Sequence, residues 1–449
     1  MSIDLLEFFQ RTDPSRTLYV NQGSDRKYYI DFSPVRGGDI IGKLKQKITF
    51  FKPNEPTCTL FTGHIGCGKS TELIRLQVEL EALGFHVVYF ESSEDLEMTD
   101  VDIADVLLAI ARRVSQSLEE IKVEQSNKFQ KLLQGAITAL DSEVTGLKLK
   151  TPVGDVGFSV EKEKFSLALG IGEITARTKS DPKLRERLNQ YLGPQKNQLL
   201  EAINRELLEP AIANLKQQGK KGLVVIVDNL DRIDNRIKPW GRPQQEYLFV
   251  DQGEFLTKLN CHLVFTMPVA LKFSNDYGML TQRFSDDPKV LPMVPVQWSD
   301  GRVHEDGIRL LKQMVLARGF PDLQSDERLR HITGIFESET SLERLCKLSG
   351  GHVRDLLRLL NTWIQEEMTL PLQGSTLEQV VRARRNEMTM PISDEEWELL
   401  RHVQQKKKVS DDQGYQKLIR SRFVFEYRDG GESWFDINPI LAEATELSR

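Results

Sequence analysis

The stretch FTGHIGCGKSTEL, residues 61–73, constrains this chain more than any other part of it. Gly63, Gly68, Lys69 and Ser70 satisfy the spacing G-x-x-x-x-G-K-[ST], with a further glycine at Gly66. The apolar run TCTLF precedes the loop, and STELIRLQVELEALG follows it with helical spacing as far as Gly84. Strand, glycine loop and helix start, in that order, curl consecutive backbone N–H groups around one anion and aim the positive end of a helix at it. Glycine keeps Cβ atoms out of the way. Lys69 supplies a point charge for β- and γ-phosphates, and the Ser70 hydroxyl a ligand for Mg2+. Gly63, His64, Ile65, Gly66, Cys67, Gly68, Lys69, Ser70 and Thr71 are therefore expected to cradle a nucleotide's phosphate tail. His64 and Cys67 occupy variable positions and have no partners for metal or thiol chemistry, so the sequence gives them no role.

Around this loop the chain alternates strands and helices. TCTLFTG, HVVYFESSED, GLVVIVDN, CHLVFTMP and VLPMVPVQ (290–297) are five apolar strands separated by helices. They predict an α/β fold of the P-loop NTPase kind, a doubly wound parallel sheet with the loop at the carboxyl end of its first strand. Residues 28–32, YYIDF, form a short β-like run, and IIGKLKQKITFF is helical. An insertion of about 101–219 departs from simple alternation. It opens with the helical VDIADVLLAIARRVSQSLEEI, passes through a glycine-rich stretch at 146–172 that reads as a hairpin or mobile insertion, and returns to amphipathic helix. The domain boundaries follow: an N-terminal strap at 1–40, the core at 41–300, a helical lid at 301–374 and a winged-helix-like module at 375–449. The last rests on three helical patterns and the hairpin FVFEYRDGGESWFDI, turning at Asp429-Gly430-Gly431.

Asp228 ends LVVIVD and is placed to hold the Mg2+ shell, directly or through water. Asn229 follows, where many P-loop ATPases carry a glutamate, so the general base is left to Asp231, which otherwise caps the turn or pairs with Arg232. Thr266, at the end of LVFT, reaches the γ-phosphate or the water, or bonds its own backbone. Arg283 either enters a neighbouring subunit's nucleotide site or is salt-bridged on the surface. Arg354, in the helix opened by Gly350 and Gly351, either meets the γ-phosphate from the lid or is structural.

A net charge of −6 excludes a surface that is basic all over. From Thr376 onward there are 12 Lys and Arg against 14 Asp and Glu, so the run Lys406–Lys408 reads as a solvated face rather than a DNA contact. Four scattered cysteines point to neither zinc nor disulfides, and no run reaches the roughly 18 apolar residues of a membrane span. The N-terminus has no basic lead or cleavage site, and a cytoplasmic protein without a membrane partner is expected. The absence of an N-K-x-D motif disfavours a GTPase, and the lid and winged helix disfavour a metabolic kinase.

Together these residues resemble the AAA+ and STAND-type P-loop ATPases, with the helical lid and winged helix of KAP- and origin-initiator-like architectures. GHIGCGKS looks like Walker A and LVVIVDNLD like Walker B. Thr266 looks like sensor 1, Arg283 like the arginine finger, and GGHVR with Arg354 like sensor 2. The resemblance implies ATP and Mg2+ as cofactors and a slow ATPase that couples nucleotide state to partner engagement or oligomerisation. It further implies a role in bacterial signalling or anti-phage defence, a separately encoded protein effector or sensor as partner, and a homo-oligomer if Arg283 acts in trans. The competing expectation is a DNA-associated initiator or loader that contacts duplex DNA through the winged helix; DNA is the less favoured partner.

Overall fold

Continuous apolar runs rather than alternating ones build the sheet, as expected of strands buried on both faces. The structure is a computed structural model that describes residues 3–20, 23–118, 127–141, 167–410 and 413–447. Its strands are β1 (Cys58–Thr62), β2 (His86–Glu91), β3 (Leu223–Asp228), β4 (His262–Met267) and β5 (Lys289–Val290). They form one parallel sheet in the order β2-β3-β4-β1-β5, in which every residue of β3 and β4 is buried. β1 enters between β4 and β5, and the helix Lys69–Ala82 leaves its carboxyl end, where ligands bind in open α/β sheets.

Two strand expectations need correction. Residues 290–297 were expected as a full strand, yet only Lys289 and Val290 pair with β1. Past Leu291 the chain turns away to a new partner, Met293 N–H donating to Glu426 O at 3.0 Å, while Val294 and Val296 sink into the lid's core. The β-like run at 28–32 has no ladder. Asp31 instead accepts from Ser33 N–H at 2.9 Å, and Pro34 sits in a short 3-10 turn, Ser33–Val35. A side-chain turn and a proline at the start of a helical turn override the β propensity of Tyr28–Ile30.

The insertion supplies helices Ile103–Ser117, Asn127–Asp141, Leu167–Lys179, Pro182–Leu192, Lys196–Ile203 and Glu209–Gln217. They share one apolar cluster with β2, β3 and β4, through residues such as Ile110, Phe129, Ile171 and Leu207. Of the expected hairpin at 146–172, residues 146–166 lie outside the described residues. Leu167–Gly172 open a helix instead, with Ile171 fully buried.

Lid helices Glu305–Gly319, Glu339–Leu348 and Val353–Glu367 are followed by Gly374–Thr389, Asp394–Lys406 and Gln413–Arg420. The antiparallel hairpin β6 (Val424–Asp429) and β7 (Glu432–Ile437) comes next. Lid and C-terminal helices share a second cluster, with Leu316, Trp363, Leu400 and Leu418, into which Phe8 of the N-terminal helix Leu5–Arg11 also packs. The hairpin is divided, with Val424 and Ile437 in this second cluster. Its Phe425, Tyr427 and Trp434 pack with Phe61, Cys67 and Leu73, on the phosphate-loop side of the sheet. Helix Gln413–Arg420 lies against the segment Val269–Phe273, and Gln416 Nε2 donates to Phe273 O at 3.1 Å. The Lys272–Glu426 ion pair, 2.8 Å long and almost wholly buried, fixes the hairpin there. Among the described residues no helix is long and apolar enough to cross a membrane.

Candidate nucleotide site

The loop after β1 is held open by backbone that only glycine tolerates cheaply. Gly66 has φ +94°, and a Cβ there would lie 2.6 Å from His352 Cε1. Lys69 folds back over the loop. Its ammonium donates to Gly63 O at 2.8 Å and His64 O at 3.0 Å, and pairs with Asp231 Oδ2 at 2.9 Å. Lysine and aspartate are both buried, 6% and 3% exposed at the side chain. Burial disfavours the ammonium, but Asp231, Cys67 and Asp228 together outweigh it and hold Lys69 above its usual range. Asp231 therefore pairs with Lys69 and not with Arg232, and its Oδ1 is buried with no hydrogen-bond partner among the described residues.

Asp228 ends β3, buried, accepting from Tyr89 Oη at 2.8 Å and from Asn229 N at 2.7 Å. Ser70 and Asp228 line the same cavity as Lys69, Thr71, Asp231 and Arg354. A hydroxyl and a carboxylate converging beside a phosphate loop are the hard-oxygen donors that suit Mg2+. The cavity also has apolar lining. Leu18, Tyr28 and Phe32 from the strap border it together with Met314 and Leu357, the kind of surface that takes a flat base.

Thr266 is buried but does not line this cavity. Its Oγ1 accepts from Leu230 N at 2.9 Å and lies 3.4 Å from Val227 O, so the hydroxyl fastens the turn after β3. Arg283 is also outside the cavity; on the helix Tyr277–Phe284 it faces Glu254 at 3.5 Å. Arg354 is brought in. Its backbone N–H donates to Gly66 O at 3.1 Å, and its side chain borders both the cavity and an adjoining cleft with Arg16, Arg232, Arg358 and Glu91. Burial, then repulsion from Arg232, Arg422 and Arg358, loosens its hold on the proton.

Three residues around the loop take contacts that the sequence does not predict. Arg232 borders both spaces from the turn after β3. Glu91 ends β2 in register with Asp228, and Asn229 Nδ2 donates to its Oε2 at 2.5 Å. Burial and the nearby Asp228 carboxylate push Glu91 up. The available signal was the last letter of HVVYFE, a carboxylate at the carboxyl edge of a parallel strand. Third is His64, read as having no role. Its Nε2 accepts from Glu426 N at 3.3 Å, and its ring meets Phe425 edge-on at 5.5 Å. His352 stacks on the same Phe425 at 5.7 Å and donates through Nε2 to Ile65 O at 2.8 Å. Burial lowers the pKa of both histidines. Lys407, in the run read as solvated, pairs with Asp436 of the hairpin at 2.7 Å.

No protein-family model and no curated protein matches this chain. Among solved structures it is similar to the Walker-type ATPase of Pyrococcus abyssi, at 13% identity and TM-score 0.41, over 98% of this chain and 100% of that one. It is similar to the ORC2 protein of Aeropyrum pernix, solved as ADPNP–ADP complexes, at 11% identity and TM-score 0.42, over 98% and 96%. The ORC1 protein of Aeropyrum pernix in complex with DNA aligns at 12% identity and TM-score 0.34, over 94% and 95%. At these levels the strand order and the loop after β1 carry the P-loop NTPase fold by themselves.

Proposed function

We propose that this chain is a slow ATPase of AAA+/STAND type, a molecular switch whose phosphate loop is sensed by the lid and the C-terminal hairpin. One observation carries the reading. Ile65 O, Gly66 O and His64 Nε2, three consecutive positions of the loop, are all bonded from C-terminal modules, by His352, Arg354 and Glu426. Any ligand that reshapes the loop changes those bonds.

The residues imply an order of events. An arriving triphosphate competes with Asp231 for the Lys69 ammonium, and the loop N–H groups take up its β-phosphate. The apolar surface of Tyr28, Phe32 and Leu357 holds the base. Arg354, and Arg232 beside it, meet the γ-phosphate. Ser70 and Asp228 would hold Mg2+, which would supply charge neutralisation for the phosphates. ATP biases the lid only by as much as it binds one lid arrangement better than ADP does.

The proposed partner is a separately encoded protein effector or sensor, in bacterial signalling or anti-phage defence, with a homo-oligomer in which Arg283 reaches the neighbour's nucleotide. The free Cys58, Cys67, Cys261 and Cys346 suit a cytoplasmic location. The second reading is a DNA-associated initiator or loader with the same loop and lid. Helix Gln413–Arg420 packs on Val269–Phe273 and hairpin β6–β7 on the phosphate-loop side of the sheet, a coupling of module to core that supports the switch.

Calorimetry with ATP·Mg2+, ADP and GTP tests the nucleotide half; absence of ATP binding overturns it. Retention on duplex DNA across a salt series tests the rest. A steep fall in affinity with salt, from a specific complex at moderate salt, favours the initiator, and no retention favours the switch.

A further inference from the structure

We infer that Glu91, at the carboxyl end of β2, is the residue that orients the attacking water and takes its proton during ATP hydrolysis. The inference rests on the ATPase reading above and assigns the role that Asn229 leaves open. Besides Asp228, and Glu72 whose oxygens are taken by Tyr29 Oη at 3.0 Å and Arg75 at 3.2 Å, two carboxylates border the site or its adjoining cleft. Asp231 is clamped by the Lys69 ammonium at 2.9 Å, which makes it a poor proton acceptor. Glu91 has no cation within ion-pair distance among the described residues, and its hydrogen bond comes from the neutral Asn229 amide at 2.5 Å.

Placement separates them further. In-line attack on the γ-phosphorus comes from the side opposite the β–γ bridge. The phosphate loop occupies one side of the site. Arg232 and Arg354 line both the cavity and the adjoining cleft, and Glu91 lines that cleft beside them. Asn229 sits at φ +61°, in a turn pinned by Leu230 N–H to Thr266 Oγ1 at 2.9 Å, so its amide is aimed at Glu91 by rigid backbone. Asn229 thus acts as the positioning residue and Glu91 as the base. In the step, the water oxygen bonds the γ-phosphorus and its proton passes to a Glu91 oxygen. The bond from phosphorus to the bridging oxygen breaks, and its electron pair leaves on ADP.

The test compares Glu91→Gln and Asp231→Asn with the full-length wild type, measuring ATP affinity by calorimetry and phosphate release in single turnover. Glutamine keeps the size of Glu91 and still accepts from Asn229, so the fold is retained. Glu91→Gln should keep ATP affinity within about 3-fold and slow phosphate release by about 100-fold or more, the usual worth of a general base. Asn229→Ala, which removes the aiming hydrogen bond, should slow release less than Glu91→Gln and leave affinity unchanged. Release within about 3-fold of wild type in Glu91→Gln overturns the inference, as does equal loss of affinity and rate. A wild type that binds ATP but releases no phosphate overturns the inference and leaves the binding reading standing. A wild type that binds no ATP sinks the ATPase reading itself.

Discussion

Removing the phosphate-loop lysine should destabilise this protein even without nucleotide. Lys69 and Asp231 form an ion pair whose side chains are 6% and 3% exposed, and Asp231 Oδ1 has no further hydrogen-bond partner among the described residues. Lys69→Met keeps the apolar stem and deletes the charge, leaving a buried carboxylate with nothing opposite it. Breaking one side of a buried pair costs about 3–5 kcal/mol. Water entering beside the loop carbonyls of Gly63 and His64 relieves part of this, so the lower end, about 3 kcal/mol, is expected. Replacing both partners, Lys69→Met with Asp231→Leu, leaves no orphaned charge and should recover at least half of the loss. Urea unfolding followed by circular dichroism, without nucleotide, measures all four corners of the cycle. ATP binding should be absent in both lysine variants, whatever their stability. If Lys69→Met unfolds within about 0.5 kcal/mol of wild type, or the double variant is no more stable than the single, the pair is not the buried contact described.

Arg354→Ala should reduce the preference for ATP over ADP by about 10- to 150-fold, the worth of one charge-assisted hydrogen bond of about 1.5–3 kcal/mol, read by competition titration. Arg283→Ala should leave nucleotide binding by dilute protein intact and impair only a concentration-dependent assembly. Sedimentation velocity with a non-hydrolysable analogue checks this, and a wild type that stays monomeric throughout removes the trans role. Acid should destabilise the fold. Burial lowers His64 and His352, and lowers His262 to about 4, all below the unfolded value near 6.5. The unfolded chain therefore binds more protons in that window, so stability is full above about pH 6.5 and falls as pH drops toward 4. A urea midpoint flat from pH 7 to 4.5 would contradict this.

What the sequence discloses here is what depends on near neighbours. The phosphate loop, Asp228 and the four long strands are legible because a glycine spacing and an apolar run dictate their own local structure. Tyr28–Phe32 misleads, since its β-branched and aromatic residues find no strand to pair with, and Asp31 and Pro34 decide the backbone. Residues 290–297 mislead in a related way. Their apolar side chains are buried as predicted, but in the lid's core rather than in a ladder. The partners of Asp231, Glu91 and His64 are 162, 138 and 362 residues away in the chain or set by sheet order, as for Lys69, Asn229 and Glu426. No local pattern encodes such contacts. Arg354 was legible because two glycines mark its helix start, whereas Thr266 kept the backbone role that any strand-end hydroxyl can take.

On this reading nucleotide bound at the phosphate loop reaches the C-terminal hairpin through the loop's own bonds. Hydrogen exchange of the full-length protein, with and without saturating ATP·Mg2+, measures it most directly. Protection should change at residues 63–71 and also at 350–354 and 424–437, the segments bonded to His64, Ile65 and Gly66. The change should differ between ATP and ADP. Protection that changes at the loop alone, with the hairpin and lid unmoved by either nucleotide, would contradict the claim.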